Sequence, residues 1–218
     1  IENSTAGTIR EVLDLLVQGG VTVVGETQVG IHHCLMSHAP LHKIRVVYSK
    51  DTAFSQCSRW LAGNLPHAKL VPVHSTSTGA ERAAESKTGA AIAPELSAEL
   101  YDLPIRARNI QDRSDNCTRF FALGHETPEP SGRDKTSLLL AVSHRPGSLM
   151  EALAVLRDFG LNMTMIESRP SPFQAFEYVF FIDVEGHIAT QEMRPALDKL
   201  GRVCLMTQIL GSYPRAGG

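Results

Sequence analysis

Ile9, Val12, Leu13 and Leu16 recur at intervals of three and four. That spacing puts them on one face of a helix over residues 8–17, and Gly19-Gly20 stops it. Short apolar runs follow at residues 21–24 and 27–31, around Gly25, and continue towards Cys34-Leu35-Met36. Together with the runs at 44–48, 70–73 and 90–93 they predict a series of short strands. Helical stretches lie between them. Asp51 is placed to cap a helix from 52 to about 61 whose face carries Phe54, Cys57 and Leu61. Ser75-Thr76-Ser77 can cap a helix running to Lys87, and Pro94 suits the first turn of one reaching Glu99. Such alternation predicts an α/β layer architecture.

Residues 124–135 break the pattern. They hold two prolines, two glycines and five charged residues, with no apolar period, which is linker chemistry. We expect one domain over 1–123, the linker over 124–135 and a second domain over 136–213. In the second domain 136–143 reads as a strand. A helix over 147–159 has Leu149, Leu153 and Leu156 on one face. Residues 161–169 form a strand, and 175–185 alternate, with Phe176, Tyr178, Phe180, Ile182 and Val184 against Glu177, Asp183 and Glu185. A helix over 191–200 and a strand over 203–210 complete a ferredoxin-like βαββαβ order. Both helices lie on one face of such an antiparallel sheet. The apolar content of its strands favours a partner on the other face, hence dimerisation.

Composition narrows the function classes. Lys and Arg number 21 against 23 Asp and Glu, so the basic excess of a nucleic-acid binder is missing. No apolar run reaches the length of a membrane span, and no signal peptide is visible. The expectation is a cytoplasmic protein with neither nucleic-acid nor membrane partners. Cys34, Cys57, Cys117 and Cys204 match no zinc or redox spacing and read as reduced thiols. His32 and His33 are adjacent, so in a strand they face opposite ways and do not grip one metal. We expect no metal and no cofactor.

Polar residues cluster at a few places where chemistry is possible. Asp115-Asn116-Cys117-Thr118-Arg119-Phe120 sets a hydroxyl beside a guanidinium and an amide, groups that can bind a carboxylate and donate hydrogen bonds. Ser75-Thr76-Ser77-Thr78-Gly79, at a strand-to-helix junction, suits an anion or serves as a plain cap. Glu2-Asn3-Ser4 is equally able to be a cap or a site. In the second domain Arg145-Pro146-Gly147-Ser148-Leu149 turns into a helix and Glu167-Ser168-Arg169-Pro170 ends a strand. A zwitterionic amino acid would suit these two, as would a surface loop and ion pair.

Taken together, the segments resemble the prephenate dehydratase family. Asn116-Cys117-Thr118-Arg119-Phe120 fits its Asn-x-Thr-Arg-Phe motif, and Glu2-Asn3-Ser4 its Glu-Asn-Ser segment. Tyr48-Ser49 with Gln56-Cys57 fits its Ser-His-Pro-Gln…Gln-Cys stretch, and Ser75-Thr76-Ser77 its Ser-Thr-Ser segment. The second domain resembles the family's ACT regulatory domain, with Gly147-Ser148-Leu149 in place of Gly-Ala-Leu and Glu167-Ser168-Arg169-Pro170 matching outright. Departures are Lys50-Asp51 in place of His-Pro, Pro94 in place of a small polar residue, and Asp102 in place of Gly.

The resemblance implies a periplasmic-binding-protein-like catalytic domain of two α/β lobes with the site in the cleft, followed by an ACT domain. It implies conversion of prephenate to phenylpyruvate with loss of water and carbon dioxide. L-phenylalanine would inhibit through paired ACT domains in a homodimer or larger homo-oligomer. Carried over residue by residue, Thr118, Arg119, Glu2 and Asn3 would be catalytic, with Thr118 assisting the leaving hydroxyl and Arg119 gripping a carboxylate. Ser49, Gln56, Ser75, Thr76, Ser77 and Phe120 would bind substrate. Gly147, Ser148, Leu149, Asn162, Glu167, Ser168 and Arg169 would bind the effector. On the family pattern about 70–80 residues of the first lobe are expected upstream of Glu2, roughly half a 150-residue domain, and the resemblance leaves open a chorismate mutase domain before them, as in a bifunctional chorismate mutase/prephenate dehydratase. A first lobe so truncated exposes apolar surface. Arogenate as substrate, or a catalytically inactive phenylalanine-binding module, are the competing expectations.

Overall fold

The computed structural model describes residues 1–5, 7–171 and 178–217. Along the chain run β1 (Glu2–Asn3), β2 (Gly7–Thr8), α1 (Arg10–Val17), β3 (Thr22–Gly30), β4 (Cys34–Met36), β5 (Val46–Ser49), α2 (Asp51–Gln56), α3 (Ser58–Asn64), β6 (Lys69–Pro72) and α4 (Thr76–Ala84). There follow β7 (Gly89–Ala93), α5 (Glu95–Leu100), β8 (Ile105–Ala107), β9 (Cys117–Gly124), β10 (Asp134–Ala141), α6 (Ser148–Asp158), β11 (Met163–Pro170), β12 (Tyr178–Glu185), α7 (Met193–Val203) and β13 (Met206–Pro214). Two compact units result, one of residues 30–117 and one of 1–29 with 118–218. No helix among the described residues is long and apolar enough to cross a membrane.

The 30–117 unit is an α/β layer around a sheet of order β6-β5-β7-β4-β8. β6, β5 and β7 are parallel, and β4 runs antiparallel to β7 and β8. Every residue of β7 is buried, as expected of a strand covered on both faces. Alternate residues feed separate cores: Leu35, Ala90 and Ile92 one, Cys34, Met36, Ala91 and Ala93 the other. Gly79 lets α4 approach β5 closely, since a Cβ there would stand 2.8 Å from the Tyr48 carbonyl oxygen.

The single helix expected over 52–61 is two. The chain leaves helical geometry at Cys57, with φ −118° and ψ 17°. A carboxylate from far along the chain starts α3 instead of a local cap: Asp112 accepts from the Ser58 hydroxyl at 2.9 Å and the Arg59 amide at 3.2 Å. Asp51 is the first helical residue of α2, with no side-chain cap at Lys50 before it.

The other unit holds an eight-stranded sheet of order β11-β12-β10-β13-β3-β9-β1-β2. Its first four strands are antiparallel neighbours and, with α6 and α7, take the ferredoxin-like order. The expected start of β12 at 175–177 lies outside the described residues. α6 and α7 pack on Leu138, Leu140, Ile182 and Val184. The other face of these strands, Leu139, Val179, Phe181 and Tyr213, is covered by Ile1, Leu13, Leu16 and Val23. The expectation that this face calls for a second protein is therefore revised: the chain's own first residues fill it. β3 is one strand where two were expected, and it joins β13 in parallel at Gly211↔Val23. Glycine is needed at that crossing, because a Cβ on Gly211 would lie 2.7 Å from Val23 Cβ.

Candidate active site and regulatory turn

β1 and β9 pair antiparallel with Asn3 opposite Thr118 and Glu2 opposite Arg119. Directly opposed residues share a face of the sheet, and consecutive residues take opposite faces. The four residues expected to be catalytic therefore divide into two pairs. Asn3 and Thr118 share one face with Phe120, which is 47% exposed. The Asn3 amide donates to the Thr118 hydroxyl oxygen at 2.9 Å. The Thr118 oxygen thus accepts one hydrogen bond while its own O–H proton can still be donated, and the amide's dipole makes it a better donor.

Glu2 and Arg119 take the other face. The Arg119 side chain is 8% exposed and meets Glu26 and Asp183 at 2.6 Å each, with Glu2 at 3.9 Å. Lys135 reaches Glu26 at 3.0 Å, so two cations face two almost fully buried anions. Arg119 also donates to the Tyr213 hydroxyl oxygen at 3.2 Å. Ser137 lies 2.6 Å from the same oxygen and donates to Asp183 at 2.5 Å. Each hydroxyl has one proton. With Ser137 donating to Asp183, Tyr213 must donate to Ser137, and a directed ring runs from Arg119 through both hydroxyls to the carboxylate.

Burial by itself would push Glu26 up. The Ala216 amide, the Lys135 hydrogen bond and the Arg119 and Lys135 charges bring its pKa below the ordinary value. Burial works against Arg119's charge too, but Asp183, with Tyr213 and Glu26, drives its pKa higher than usual. Burial first, and then the Asp183 charge, raises Tyr213 and keeps it a neutral donor. A guanidinium so engaged is not available as a fork for a substrate carboxylate. The geometry makes Arg119 a group that holds β9.

In the 30–117 unit, β5, β6 and β7 end their parallel run beside the start of α4, and such carboxyl ends are where open α/β sheets bind ligands. Ser75 caps α4, accepting from the Thr78 amide at 3.0 Å. The Thr76 and Ser77 amides open the helix, ahead of any intrahelical acceptor, and suit a carboxylate. Ser49 is buried and donates to the Ile92 carbonyl at 2.6 Å. Its hydroxyl ties β5 to β7 and faces no open surface. Gln56 lies 2.7 Å from Nε2 of buried His33, so its carbonyl oxygen orients that ring. The thiols of Cys34, Cys57 and Cys204 are buried. Burial first, with the Asp112 charge, pushes Cys57 up to about 12.

Gly147 sits at φ 87° at the start of α6, a left-handed position that favours glycine. The turn it makes walls a cavity of about 380 Å³ with Val142, Ser148, Leu149, Tyr178 and Phe180. Arg145 beside it is tied to Glu151. Glu167 and Arg169 of β11 point instead at the first residues of the chain. Glu167 accepts from the Thr8 hydroxyl at 3.3 Å, and Arg169 grips Asp14 at 3.1 and 2.5 Å. Ser168, one residue from each, takes the opposite face of β11. Asn162 donates to Glu185 at 3.0 Å, before the other end of β11. Seven residue steps along the chain separate it from Arg169, about 23 Å.

A family model described as prephenate dehydratase matches residues 1–128, and one described as ACT domain matches 136–202. The chain belongs to the prephenate dehydratase family. A bifunctional chorismate mutase/prephenate dehydratase of Aquifex aeolicus (strain VF5) is 40% identical over 217 residues, covering 99% of this chain and 60% of the relative. This chain thus spans about three-fifths of the length of the curated relatives it matches. Among solved structures, the prephenate dehydratase of Arthrobacter aurescens in complex with L-Phe is 33% identical, with TM-score 0.88 over 96% of this chain and 71% of that one. A structure described as GqqA, of a novel type of quorum quenching acylases, is also 33% identical, with TM-score 0.89 over 99% of this chain and 80% of that one.

Sequence reasoning found the family's motif residues but not what stands behind Arg119. Asp183 reads as a solvent-facing position in the alternation of β12, yet it is 1% exposed. The chain's N-terminal residues cover that face, and their approach has no local signature. Val179 and Phe181 on the same parity as Asp183 are the signal that was available. A strand apolar on both faces is covered on both.

Proposed function

We propose that this chain carries the dehydratase and regulatory portions of a cytoplasmic enzyme of phenylalanine biosynthesis that converts prephenate to phenylpyruvate. The catalytic portion runs to the end of β9 at Gly124, residues 125–133 are the linker, and the ACT domain begins with β10 at Asp134, so the linker expected over 124–135 is shorter at both ends. The observation that carries the reading is the hydrogen bond from Asn3 to Thr118 at 2.9 Å, placed within the family's motif. Prephenate must lose its ring hydroxyl as its ring carboxylate leaves as carbon dioxide. The electrons of the broken carbon–carbon bond make the ring aromatic, and the hydroxyl departs with the electron pair of its carbon–oxygen bond, taking a proton from solvent to become water. A neutral threonine is a weak acid, so Thr118 acts by a hydrogen bond that strengthens as charge gathers on the departing oxygen. Phe120, on the same face, offers the ring an apolar neighbour. The Thr76 and Ser77 amides are suited to a carboxylate.

Fold alone does not decide the substrate, as the acylase neighbour illustrates. The test is product formation by the natural full-length protein given prephenate or arogenate. Phenylpyruvate forms from prephenate with the higher kcat/KM. A preference for arogenate, or no phenylpyruvate at all, would overturn the assignment.

For regulation, we assign L-phenylalanine to the cavity at Gly147, Ser148 and Leu149, whose volume falls in the range of small-ligand sites, about 300–1,000 Å³. The Arthrobacter relative's structure in complex with L-Phe supports the choice of ligand. β11 is an edge strand that leaves Ile166 exposed, and an open edge invites pairing. Two copies joined antiparallel at β11 about a two-fold axis would bring Asn162 of the partner subunit towards this chain's Arg169 end and its Gly147 turn. That homodimer explains how residues about 23 Å apart on one chain serve one effector. Leu149→Trp crowds the cavity and raises the Kd for L-phenylalanine at least about tenfold by isothermal titration. Unaltered binding would place the effector elsewhere.

A further inference from the structure

We propose that Asp183, on a strand of the regulatory sheet, is a positioning residue for Thr118. The inference rests on the dehydratase reading and names what seats its central hydroxyl. Thr118 stands beside Arg119 on β9, and the pair Glu2↔Arg119 adjoins Asn3↔Thr118. Whatever fixes the depth of Arg119 therefore fixes the register in which Asn3 meets Thr118. That depth is set from beneath. Asp183 contacts the guanidinium at 2.6 Å, and the Tyr213–Ser137 ring closes on its other oxygen.

Charge balance makes Asp183 decisive. Arg119 and Lys135 face the buried Glu26 and Asp183, two against two, while Glu2, 41% exposed and 3.9 Å from Arg119, is screened by solvent and adds little. Without the Asp183 charge, two buried cations would share Glu26, a strongly unfavourable arrangement. The cheapest relief is for β9 to lift and hydrate Arg119, which draws Thr118 away from Asn3.

β12 also lies between β10 and β11, and Asp183 pairs with Met165, two residues before Glu167. The threonine's seat is thereby built into the sheet that carries the effector motif.

The test uses the natural full-length protein. Asp183→Asn lowers kcat on prephenate about tenfold and moves KM less than about twofold. Adding Lys135→Gln restores the charge balance and recovers most of the loss, a non-additive result that lost packing would not produce. Ser137→Ala, a milder change in the same ring, lowers kcat about threefold and serves if Asp183→Asn does not fold. Thr118→Ala separates the two levels. If it leaves turnover intact, the dehydratase reading itself falls. If it abolishes turnover while Asp183→Asn, or Ser137→Ala in its place, keeps wild-type kcat, the positioning role is overturned. Failure of Lys135→Gln to recover activity assigns the loss to packing and overturns it equally.

Discussion

Thr118→Ala in the full-length protein lowers kcat on prephenate by about 100- to 1,000-fold while KM changes less than about threefold. The asymmetry follows from where the hydroxyl acts. In the ground state the leaving oxygen is a neutral alcohol, and one hydrogen bond to it adds little binding. In the transition state that oxygen carries the charge of a breaking bond, and a donor already aimed at it is worth far more. Asn3 holds the threonine oxygen at 2.9 Å, so the donor needs no reorganisation as charge develops. Thr118→Ser keeps the hydroxyl and recovers most of the rate. A Thr118→Ala enzyme whose KM rises while kcat stays at wild type would show that the hydroxyl only binds, and would remove it from the chemistry.

Arg119→Met costs about 3–5 kcal/mol of stability in chemical denaturation, because it leaves buried carboxylates without their main cation. Glu26 then keeps only Lys135, Asp183 has no cation in contact among the described residues, and Tyr213 loses the donor to its oxygen. Arg119→Lys recovers only part, since an ammonium cannot serve Glu26, Asp183 and Tyr213 as a planar fork does. The same cluster gives the protein an acid limit. The pKa of Glu26 is held below its ordinary value of 4.5. A carboxylate depressed by folding contributes stability that is fully present above its unfolded pKa and is lost as pH falls through the folded one. Stability should therefore decline below the unfolded value of 4.5, and Glu26→Gln should flatten that decline. An Arg119→Met protein as stable as wild type, with an unchanged acid profile, would mean that the cluster does not hold β9.

Much of the regulatory half was legible because its periods are clean. Leu149, Leu153 and Leu156 mark α6, and the alternation through Phe180, Ile182 and Val184 marks the helix-covered face of β12. The break at Cys57 was not legible, because the carboxylate that starts α3 is Asp112, more than fifty residues on. Nor were the roles within the motif residues. Adjacent letters suggest a shared site, but a strand sends Thr118 and Arg119 to opposite faces. Ser49 matched a motif and is spent on a backbone carbonyl inside the sheet.

The sequence alone determined the family, the βαββαβ order of the regulatory half and the threonine on which the chemistry is proposed to turn. These are written in local spacing and in motifs a few residues long. Only the tertiary structure decided which motif residues share a face, what covers the second face of the regulatory sheet, and which carboxylates hold Arg119. The contacts responsible join Asn3 to Thr118, Glu26 to Arg119 and Asp14 to Arg169. They link residues about a hundred or more positions apart, and no local pattern along the chain encodes such pairings.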